Sequence, residues 1–309
     1  MKILVTGGAG FIGSHSVDLL LAEGNEVIVL DNLVSGKKEN LPLGHPNLKF
    51  VEGDILEFPL LQEIISECDA VLHLAAFVSV PGSIEFPVFS SQVNTQGSLH
   101  VLEVVRKTGR KIRIVQASSA AVYGESKILP ARDDLPLATD ALSPYALQKI
   151  QAEEYAKLYS RLHQIGSLSL RYFNIYGPRQ NPDSPYSGVI SRFLDAYQKN
   201  QELRIFGDGL QTRDFIHVED IAKANWLALQ SDFTGVVNIA TGAPKTLLQV
   251  IDYFNINGGH PANIQHYPER AGDIRASYAA IERAEKHLGF KFTISQEQGM
   301  KMMVRSCMM

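Results

Sequence analysis

The chain begins with Lys2-Ile-Leu-Val-Thr-Gly-Gly-Ala-Gly-Phe-Ile-Gly-Ser-His15, a short apolar run followed by a glycine-rich segment. The apolar run predicts a buried β-strand, and the apolar periodicity that follows residue 15 predicts a helix. Between them, Gly7, Gly10 and Gly13 have the spacing G-x-x-G-x-x-G, one residue wider in the first gap than the common dinucleotide fingerprint. Such glycines let a backbone turn tightly and approach a pyrophosphate at the helix N-terminus. The segment therefore predicts the first strand, loop and helix of a dinucleotide-binding sheet.

A second apolar run, Glu26-Val-Ile-Val-Leu30, ends at Asp31. An acidic residue at about this distance from the glycines binds the ribose diol of an adenosine. It would repel the 2′-phosphate of NADP, and Lys37 and Lys38 could compensate only in part. We therefore expect NAD as the cofactor, although an aspartate in this position can also simply cap a loop.

Apolar runs and helical stretches continue to alternate along the first half of the chain. The further strand-like runs are Leu48–Val51, Ala70–Leu74, Lys111–Val115 and Leu168–Arg171. This alternation predicts an α/β fold with a Rossmann-type doubly wound parallel sheet. Ligands of such sheets bind beyond the carboxyl ends of the strands. The residues that this rule places along one crevice are Gly10, Asp31, Asp54, Ala75 and Ser119.

Beyond residue 172 the chain turns to loops rich in proline, glycine and asparagine. We therefore expect an NAD-binding Rossmann domain over residues 1–172. A smaller mixed α/β substrate-binding domain is predicted over 173–309, with part of 214–242 returning to the Rossmann sheet.

Tyr145 and Lys149 stand four residues apart in Ser143-Pro144-Tyr145-Ala146-Leu147-Gln148-Lys149. Serine suits an N-cap and proline a first helical turn, so the two side chains should share a helix face. A phenol that acts as a base at neutral pH needs its pKa lowered by roughly three units, or about 4 kcal/mol. An ammonium group on the same face favours the phenolate. The bare pair could equally be an ordinary helix surface.

Segments distributed over the whole chain bear on the choice between a catalytic pair and an ordinary helix surface. They are Thr6–Gly13, Asp31–Gly36, Gly53–Ile55, His73–Ala76, Ser118–Gly124, Tyr145-x-x-x-Lys149, Arg171–Arg179, Arg213–Val218 and Arg270–Asp273. Together they resemble the motifs of the extended short-chain dehydrogenase/reductases, and within that family the 4-epimerases of UDP-linked sugars. The resemblance implies catalytic roles for Ser119, Tyr145 and Lys149.

The resemblance also implies which residues contact each ligand. The implied NAD-binding residues are Gly7, Gly10, Phe11, Ile12, Gly13, Asp31, Asn32, Ser35, Gly36, Asp54, Ile55, Leu74, Ala75, Ala76, Tyr145, Lys149 and Tyr172. The implied residues for a UDP-sugar are Ser119, Phe173, Asn174, Gly188, Val189, Arg204, Phe206, Arg213, Arg270, Asp273 and Ser277. Arginine suits phosphate because its fork donates paired hydrogen bonds.

Two positions narrow the expected reaction and substrate. Related dehydratases and decarboxylases carry an acidic residue just before the Val-Tyr-Gly segment, whereas this chain has Ala120 and Ala121, whose methyl groups cannot transfer a proton. The resemblance therefore favours 4-epimerisation. Where some relatives have a bulky tyrosine, Ser277 leaves room for an N-acetyl group. We expect UDP-GlcNAc/UDP-GalNAc and also UDP-Glc/UDP-Gal as substrates.

Composition excludes several other classes. The chain has 309 residues, 45% of them hydrophobic, and a formal net charge of -4, which gives no electrostatic reason to expect nucleic acid or an anionic membrane. No apolar run reaches the roughly 20 residues of a membrane span. Two cysteines fit a reducing cytoplasm. No histidine or cysteine spacing suggests a metal site.

Two alternatives remain open at this level. One is another reaction on the same fold, namely a UDP-uronic acid 4-epimerase or a nucleotide-sugar reductase. The other is a non-catalytic NAD-binding regulator, although such proteins lose the tyrosine or the lysine. The family resemblance implies a homodimer in which two helices of each subunit pair, one of them the helix that carries Tyr145.

Overall fold

The computed structural model describes residues 1–126, 128–135, 137, 141–181, 188–269 and 274–306. Its main sheet has seven strands, all parallel, in the spatial order β11-β6-β5-β4-β1-β2-β3. These strands are β1 (Lys2–Thr6), β2 (Glu26–Asp31), β3 (Leu48–Glu52), β4 (Ala70–His73), β5 (Arg113–Ser119), β6 (Ser167–Tyr172) and β11 (Gly235–Ile239). The predicted doubly wound parallel sheet is confirmed.

Helices cover both faces of this sheet. Those on one face are α1 (Phe11–Ala22), α8 (Val218–Gln230) and α10 (Glu282–Leu288), and their apolar residues join one core. Those on the other face are α2 (Phe58–Ser66), α5 (Gly97–Thr108) and α6 (Pro144–His163), which share a second core. The short helices α3 (Val80–Glu85) and α4 (Pro87–Ser91) precede a π-helical turn, Gln92–Gln96, that leads into α5. Because both faces are covered, the strands are rich in buried apolar residues.

The second half of the chain contributes three small sheets and a third core. The sheets pair β7 (Asn174–Tyr176) with β10 (Phe215–His217), β8 (Glu202–Phe206) with β13 (Asn263–Tyr267), and β9 (Thr212–Arg213) with both β12 (Lys245–Thr246) and β14 (Ala276–Ser277). The helices α7 (Val189–Gln198), α9 (Leu247–Gly258) and α11 (Gln296–Ser306) pack around the third core. The strand β11 leaves this half and pairs with β6 in the main sheet.

Strand β5 differs from its predicted bounds, because it runs to Ser119 instead of ending near Val115. The four polar or small residues after Val115 read as a loop in the sequence. In the structure β5 lies between β4 and β6, and Ser119 pairs with Tyr172 of β6. Pairing on both sides extends the strand and places Ser118 and Ser119 at the carboxyl edge of the sheet.

No helix within the described ranges is both long enough and apolar enough to span a bilayer.

Candidate active site

Backbone atoms pack closely against one another in the glycine loop between β1 and α1. Gly7 has φ +69°, and its amide donates to the carbonyl of Leu30 at 2.8 Å. A Cβ atom on Gly13 would collide with the Gly7 carbonyl oxygen, so α1 can approach the loop only with glycine there. Helix α1 begins with Gly10 as its N-cap, and no side chain caps its first amides. These amides are available to an anion such as a pyrophosphate.

Asp31 lies at the end of β2 and is held by the same loop. Its Oδ2 accepts from the Ala9 amide at 3.0 Å, and its Oδ1 accepts from the Leu33 amide at 2.8 Å. Burial raises the pKa of this carboxyl, while the two backbone bonds lower it. A Cβ on Gly36 would come within 2.9 Å of both carboxylate oxygens. Nearby, Asn32 donates to the Asp54 carboxylate at 2.8 Å.

The segment after β4 forms the floor of the crevice. The Ala75 amide donates to Thr6 Oγ1 at 3.2 Å, and a Cβ on Gly7 would come within 2.8 Å of the Ala75 nitrogen. Two residues further, the Asn94 side chain bonds both the amide (2.8 Å) and the carbonyl (3.0 Å) of Phe77. The sequence analysis missed Asn94. The signal was a polar residue in a helical stretch that is otherwise amphipathic, and it falls on the π-helical turn.

These features fit NAD. A loop of close-packed glycines, free helix amides, a carboxylate at the end of β2 and small residues after β4 follow one another along the carboxyl edge of the sheet. Tyr172, also predicted to contact the cofactor, has its side chain in the core, where its hydroxyl donates to Asn225 at 2.5 Å. Ser35 is exposed.

Helix α6 carries Tyr145 and Lys149 and begins as the sequence predicts. Ser143 accepts from the Ala146 amide at 3.1 Å, and Pro144 occupies the first turn. The Tyr145 amide donates to the hydroxyl of Ser83, on α3, at 3.1 Å. Tyr145 and Lys149 are both buried, and the lysine Nζ lies 5.9 Å from the centroid of the tyrosine ring. The structure therefore brings this pair to Ser119, whose hydroxyl is close enough to lower the pKa of Tyr145.

The expected lowering of the tyrosine pKa is wrong for the chain without its ligands. Burial raises the pKa of Tyr145 to about 12, and the nearby Ser119 hydroxyl opposes this. Burial also lowers the pKa of Lys149 to about 8. The lysine ammonium donates to the carbonyl of Ala117, on β5, at 2.9 Å. Tyr145 is therefore a neutral phenol until something adds positive charge beside it.

The substrate side is organised by Asp214, a residue that the sequence analysis did not assign. Its buried carboxylate accepts from the amide and hydroxyl of Thr241 at 2.9 and 2.6 Å, and from the amides of Gly242 (2.9 Å) and Ala279 (3.4 Å). Its amide donates to the Ser277 carbonyl at 2.9 Å. Arg213 of β9 pairs with Ser277 of β14, so these two predicted substrate residues are neighbours.

The other predicted substrate residues that the structure describes lie on several separate elements. Asn174 donates to the Asp214 carbonyl at 3.1 Å, and Phe173 packs in a small core with Tyr123. Gly188 is the N-cap of α7, which begins at Val189. Arg204 and Phe206 lie on β8, and the Arg204 guanidinium pairs with Glu202 at 3.1 Å. Arg270 and Asp273 lie outside the described residues.

Comparison with known sequences fixes the family. The sequence profile of the NAD dependent epimerase/dehydratase family matches residues 3–240. The chain belongs to this family. A relative from Methanocaldococcus jannaschii is 42% identical over 98% of this chain and 97% of its own length, and carries the provisional name UDP-glucose 4-epimerase.

Two solved structures of named 4-epimerases match this chain over nearly the full length of both proteins. A UDP-N-acetylglucosamine 4-epimerase from Methanobrevibacter ruminantium, in complex with UDP-N-acetylmuramic acid, has a TM-score of 0.94 and 38% identity, and the match covers 99% of this chain and 98% of that one. A UDP-glucose 4-epimerase from Thermus thermophilus, in complex with NAD, has a TM-score of 0.89 and 35% identity, with 99% and 98% covered.

The epimerase/dehydratase family includes two reaction classes, and the turn after β5 bears on the choice. Ala120 and Ala121 begin a 3₁₀ turn that ends at Tyr123, and the Ala121 amide donates to the Ser119 hydroxyl oxygen at 3.2 Å. Both alanines are half-buried beside Ser119. Neither offers a group that could take or give a proton, whereas Ser119 and Tyr145 each carry a hydroxyl.

Proposed function

We propose that the protein is an NAD-dependent 4-epimerase of UDP-linked hexoses. The observation that carries the proposal is the placement of Ser119 and Tyr145 beside the buried Lys149, with alanines where an eliminating enzyme would carry an acid. Relatives named as UDP-sugar 4-epimerases support it over essentially the whole chain.

The catalytic step assigned to this chain is a proton transfer. Bound NAD would supply the acceptor for the C4 hydrogen of the sugar and a positive charge that favours the phenolate. Tyr145, with Ser119, takes the proton of the sugar 4-hydroxyl and returns it after the keto sugar has turned over in the site. Lys149 holds a positive charge next to the reacting oxygen. The glycine loop and Asp31 would hold the cofactor, and Arg213 the diphosphate.

We propose that the sugar site accepts N-acetylated hexoses as well as glucose and galactose. Ser277 is half-buried and pairs with Arg213, the residue predicted to bind the diphosphate. Its small side chain therefore lies next to Arg213. A serine hydroxyl leaves space that a larger side chain would fill. The matching 4-epimerase of UDP-N-acetylglucosamine is consistent with such a pocket.

The experiment is product analysis with UDP-Glc, UDP-Gal, UDP-GlcNAc and UDP-GalNAc, followed by proton NMR. We expect each sugar to equilibrate with its C4 epimer without net oxidation of the substrate. Tyr145→Phe should lower kcat about 10³-fold because it removes the proton acceptor. A wild-type product that is oxidised, reduced or dehydrated would refute the assignment, as would full epimerisation by Tyr145→Phe.

We also propose that the protein is a homodimer that pairs α5 and α6. Helix α6 exposes Leu147 and Leu162, with 47% and 60% of their surfaces accessible, on a helix whose other side covers the main sheet. Light scattering should give about twice the chain mass of 34.1 kDa. A Leu147→Glu/Leu162→Glu variant that stays dimeric would contradict this placement.

A further inference from the structure

Glu153 lies one helical turn after Lys149 on α6, and its carboxylate is completely buried. Arg171 of β6 donates to it twice, from Nε at 2.8 Å and from Nη2 at 2.6 Å. Ser118 of β5 donates a third bond at 2.5 Å. The exposed fractions of the two charged side chains are 0% for Glu153 and 2% for Arg171. The sequence gives no reason to expect this, because a glutamate at this spacing usually lies on a solvated helix face.

Arg171 extends the contact beyond the ion pair. Its Nη1 donates to the Tyr123 hydroxyl at 2.9 Å, and Tyr123 donates to Asn238 Oδ1 at 2.6 Å. Asn238 lies on β11. A single carboxylate therefore connects the helix that carries Tyr145 to three neighbouring strands of the main sheet. Through Ser118 it also fixes the residue adjacent to Ser119.

Stability alone does not account for a buried pair of this kind. Two charges lose their hydration when buried, and well-packed apolar residues of similar size are often as stable or more so. A buried pair next to reacting groups can instead fix position and charge. Burial disfavours the charge on Arg171, yet the hydrogen bond and charge of Glu153 raise its pKa. Arg171 therefore remains charged in the core.

The charged and titratable groups around Lys149 come from each element packed against it. Burial lowers the pKa of Lys149, and the negative charge of Glu153 opposes that shift. His73 of β4 is neutral, because burial and the charge of Lys149 lower its pKa to about 3. Tyr145 is neutral for the reason given above, and Arg171 is compensated by its partner. Glu153 is therefore the anion that favours the protonated form of Lys149.

We propose that Glu153, paired with Arg171, is a positioning residue that keeps Lys149 protonated and locks α6 to Ser118 at the reacting edge of the sheet. Neither residue touches the substrate or the cofactor in this role. The inference concerns the proposed epimerase site, but the state of Lys149 can be measured without any turnover.

The first test is an NMR titration of the ligand-free protein labelled with ¹³C at the lysine ε-carbon, with Lys149→Met to assign the resonance. In Glu153→Gln the titration midpoint of Lys149 should move down by about one pH unit or more, since an adjacent opposite charge has been lost. An unchanged midpoint would overturn the electrostatic role whether or not the protein proves to be an epimerase.

The matched control is Asp220→Asn, which removes another buried carboxylate. Asp220 accepts from the amide and hydroxyl of Thr293 at 2.8 and 2.7 Å and from the Ile294 amide at 3.0 Å. We expect this variant to melt earlier but to leave the Lys149 midpoint where it is. An equal shift in both variants would show a general loss of packing and would overturn the proposal.

The second test is the pH dependence of kcat. In Glu153→Gln, kcat should fall about tenfold on the basic side of the profile, the equivalent of one pKa unit, while KM changes less than threefold. The basic limb of the profile should move to lower pH, because Lys149 loses its proton earlier. If Glu153→Gln does not fold, Glu153→Leu/Arg171→Met removes both charges together and should shift the profile in the same direction but by less, because the positive charge of Arg171 is lost as well. A variant with only a lowered Tm and an unaltered profile would assign the pair to stability alone.

Discussion

The cofactor side and the substrate side of the site are built in different ways. On the cofactor side, the glycine loop and Asp31 come from one continuous β-loop-α-β segment, and backbone atoms pack against backbone atoms. On the substrate side, Arg213 and Ser277 come from two-residue strands more than 60 residues apart. The buried carboxylate of Asp214, which follows β9, binds Thr241 and Gly242 after β11 and Ala279 just after β14.

This difference determines how well each side of the site tolerates substitution. Backbone packing tolerates no added atom, so a change on the cofactor side should abolish binding. The substrate side depends on a few side-chain hydrogen bonds. Substitutions there should therefore change KM by moderate amounts that differ from one sugar to another. Specificity can then change within a constant fold, which suits a family whose members act on different substrates.

Gly13→Ala should break the cofactor side most severely. The new methyl group would collide with the Gly7 carbonyl oxygen and lie 2.7 Å from the Gly8 Cα, and neither backbone atom can move freely. We expect NAD affinity to fall about 100-fold. Isothermal titration with NAD measures this. Gly44→Ala, where a Cβ would meet nothing within 4 Å, is the control and should bind NAD like the wild type. Equal affinities in both variants would contradict the role of close packing.

Ser277→Tyr should change the substrate side selectively. A phenol next to Arg213 would occupy the space assigned to the N-acetyl group, so kcat/KM for UDP-GlcNAc should fall about 30-fold. Activity on UDP-Glc should remain within a few-fold of wild type. Ser277→Ala is the control, since it adds no bulk. Unchanged acetyl-sugar turnover in the tyrosine variant would show that Ser277 does not line the pocket.

Asp214→Asn should weaken binding on the substrate side and leave binding on the cofactor side unchanged. An amide group cannot accept from all four donors, so Arg213 and Ser277 lose part of their common support. KM for the UDP-sugar should rise about tenfold, corresponding to the cost of unpaired buried donors. Binding of NAD should not change. The control, Asp195→Asn, removes a carboxylate whose ion pair with Lys199 is exposed. A larger loss of NAD affinity than of UDP-sugar affinity would reverse the comparison.

His73→Gln should leave both sides of the site intact and alter the pH dependence of stability. His73 bonds Thr6 Oγ1 at 2.8 Å and Ser98 Oγ at 3.0 Å, and in the folded chain its pKa is lowered to about 3, mainly by burial. Below pH 6.5 the unfolded histidine gains a proton that the folded one does not. Stability should therefore fall as the pH drops from 6.5 towards 3, by about 1.4 kcal/mol per unit.

Glutamine does not titrate, so the free energy of unfolding of His73→Gln should depend less steeply on pH. Urea unfolding at pH 7, 6, 5 and 4 gives the two curves. The exposed His163→Gln is the control and should keep the wild-type slope. Parallel curves for His73→Gln and wild type would show that the buried histidine does not contribute.

Most of the cofactor side could be predicted from the sequence, because its signals are local. Apolar runs mark β1 and β2, and the glycine spacing and Asp31 follow them directly. The N-cap and first turn of α6 were readable for the same reason. The extension of β5 to Ser119 was not, since it depends on pairing with β4 and β6 and not on the residues themselves.

The contacts that arrange the reacting groups could not be predicted. Glu153 and Arg171 are 18 residues apart on different elements, and each resembles a surface charge in isolation. Asp214 lies beside Arg213 in the sequence but acts through donors between 27 and 65 residues away. The neutral state of Tyr145 follows from burial, which spacing does not reveal.

The most direct test of the proposed reaction is the fate of the C4 hydrogen. The wild-type enzyme should be incubated with UDP-[4-²H]glucose in ordinary water, and the galactose product examined by NMR and mass spectrometry. The account predicts that deuterium stays at C4 of UDP-galactose, because the same hydrogen is removed and returned within a closed site. Replacement of that deuterium by solvent hydrogen would contradict it.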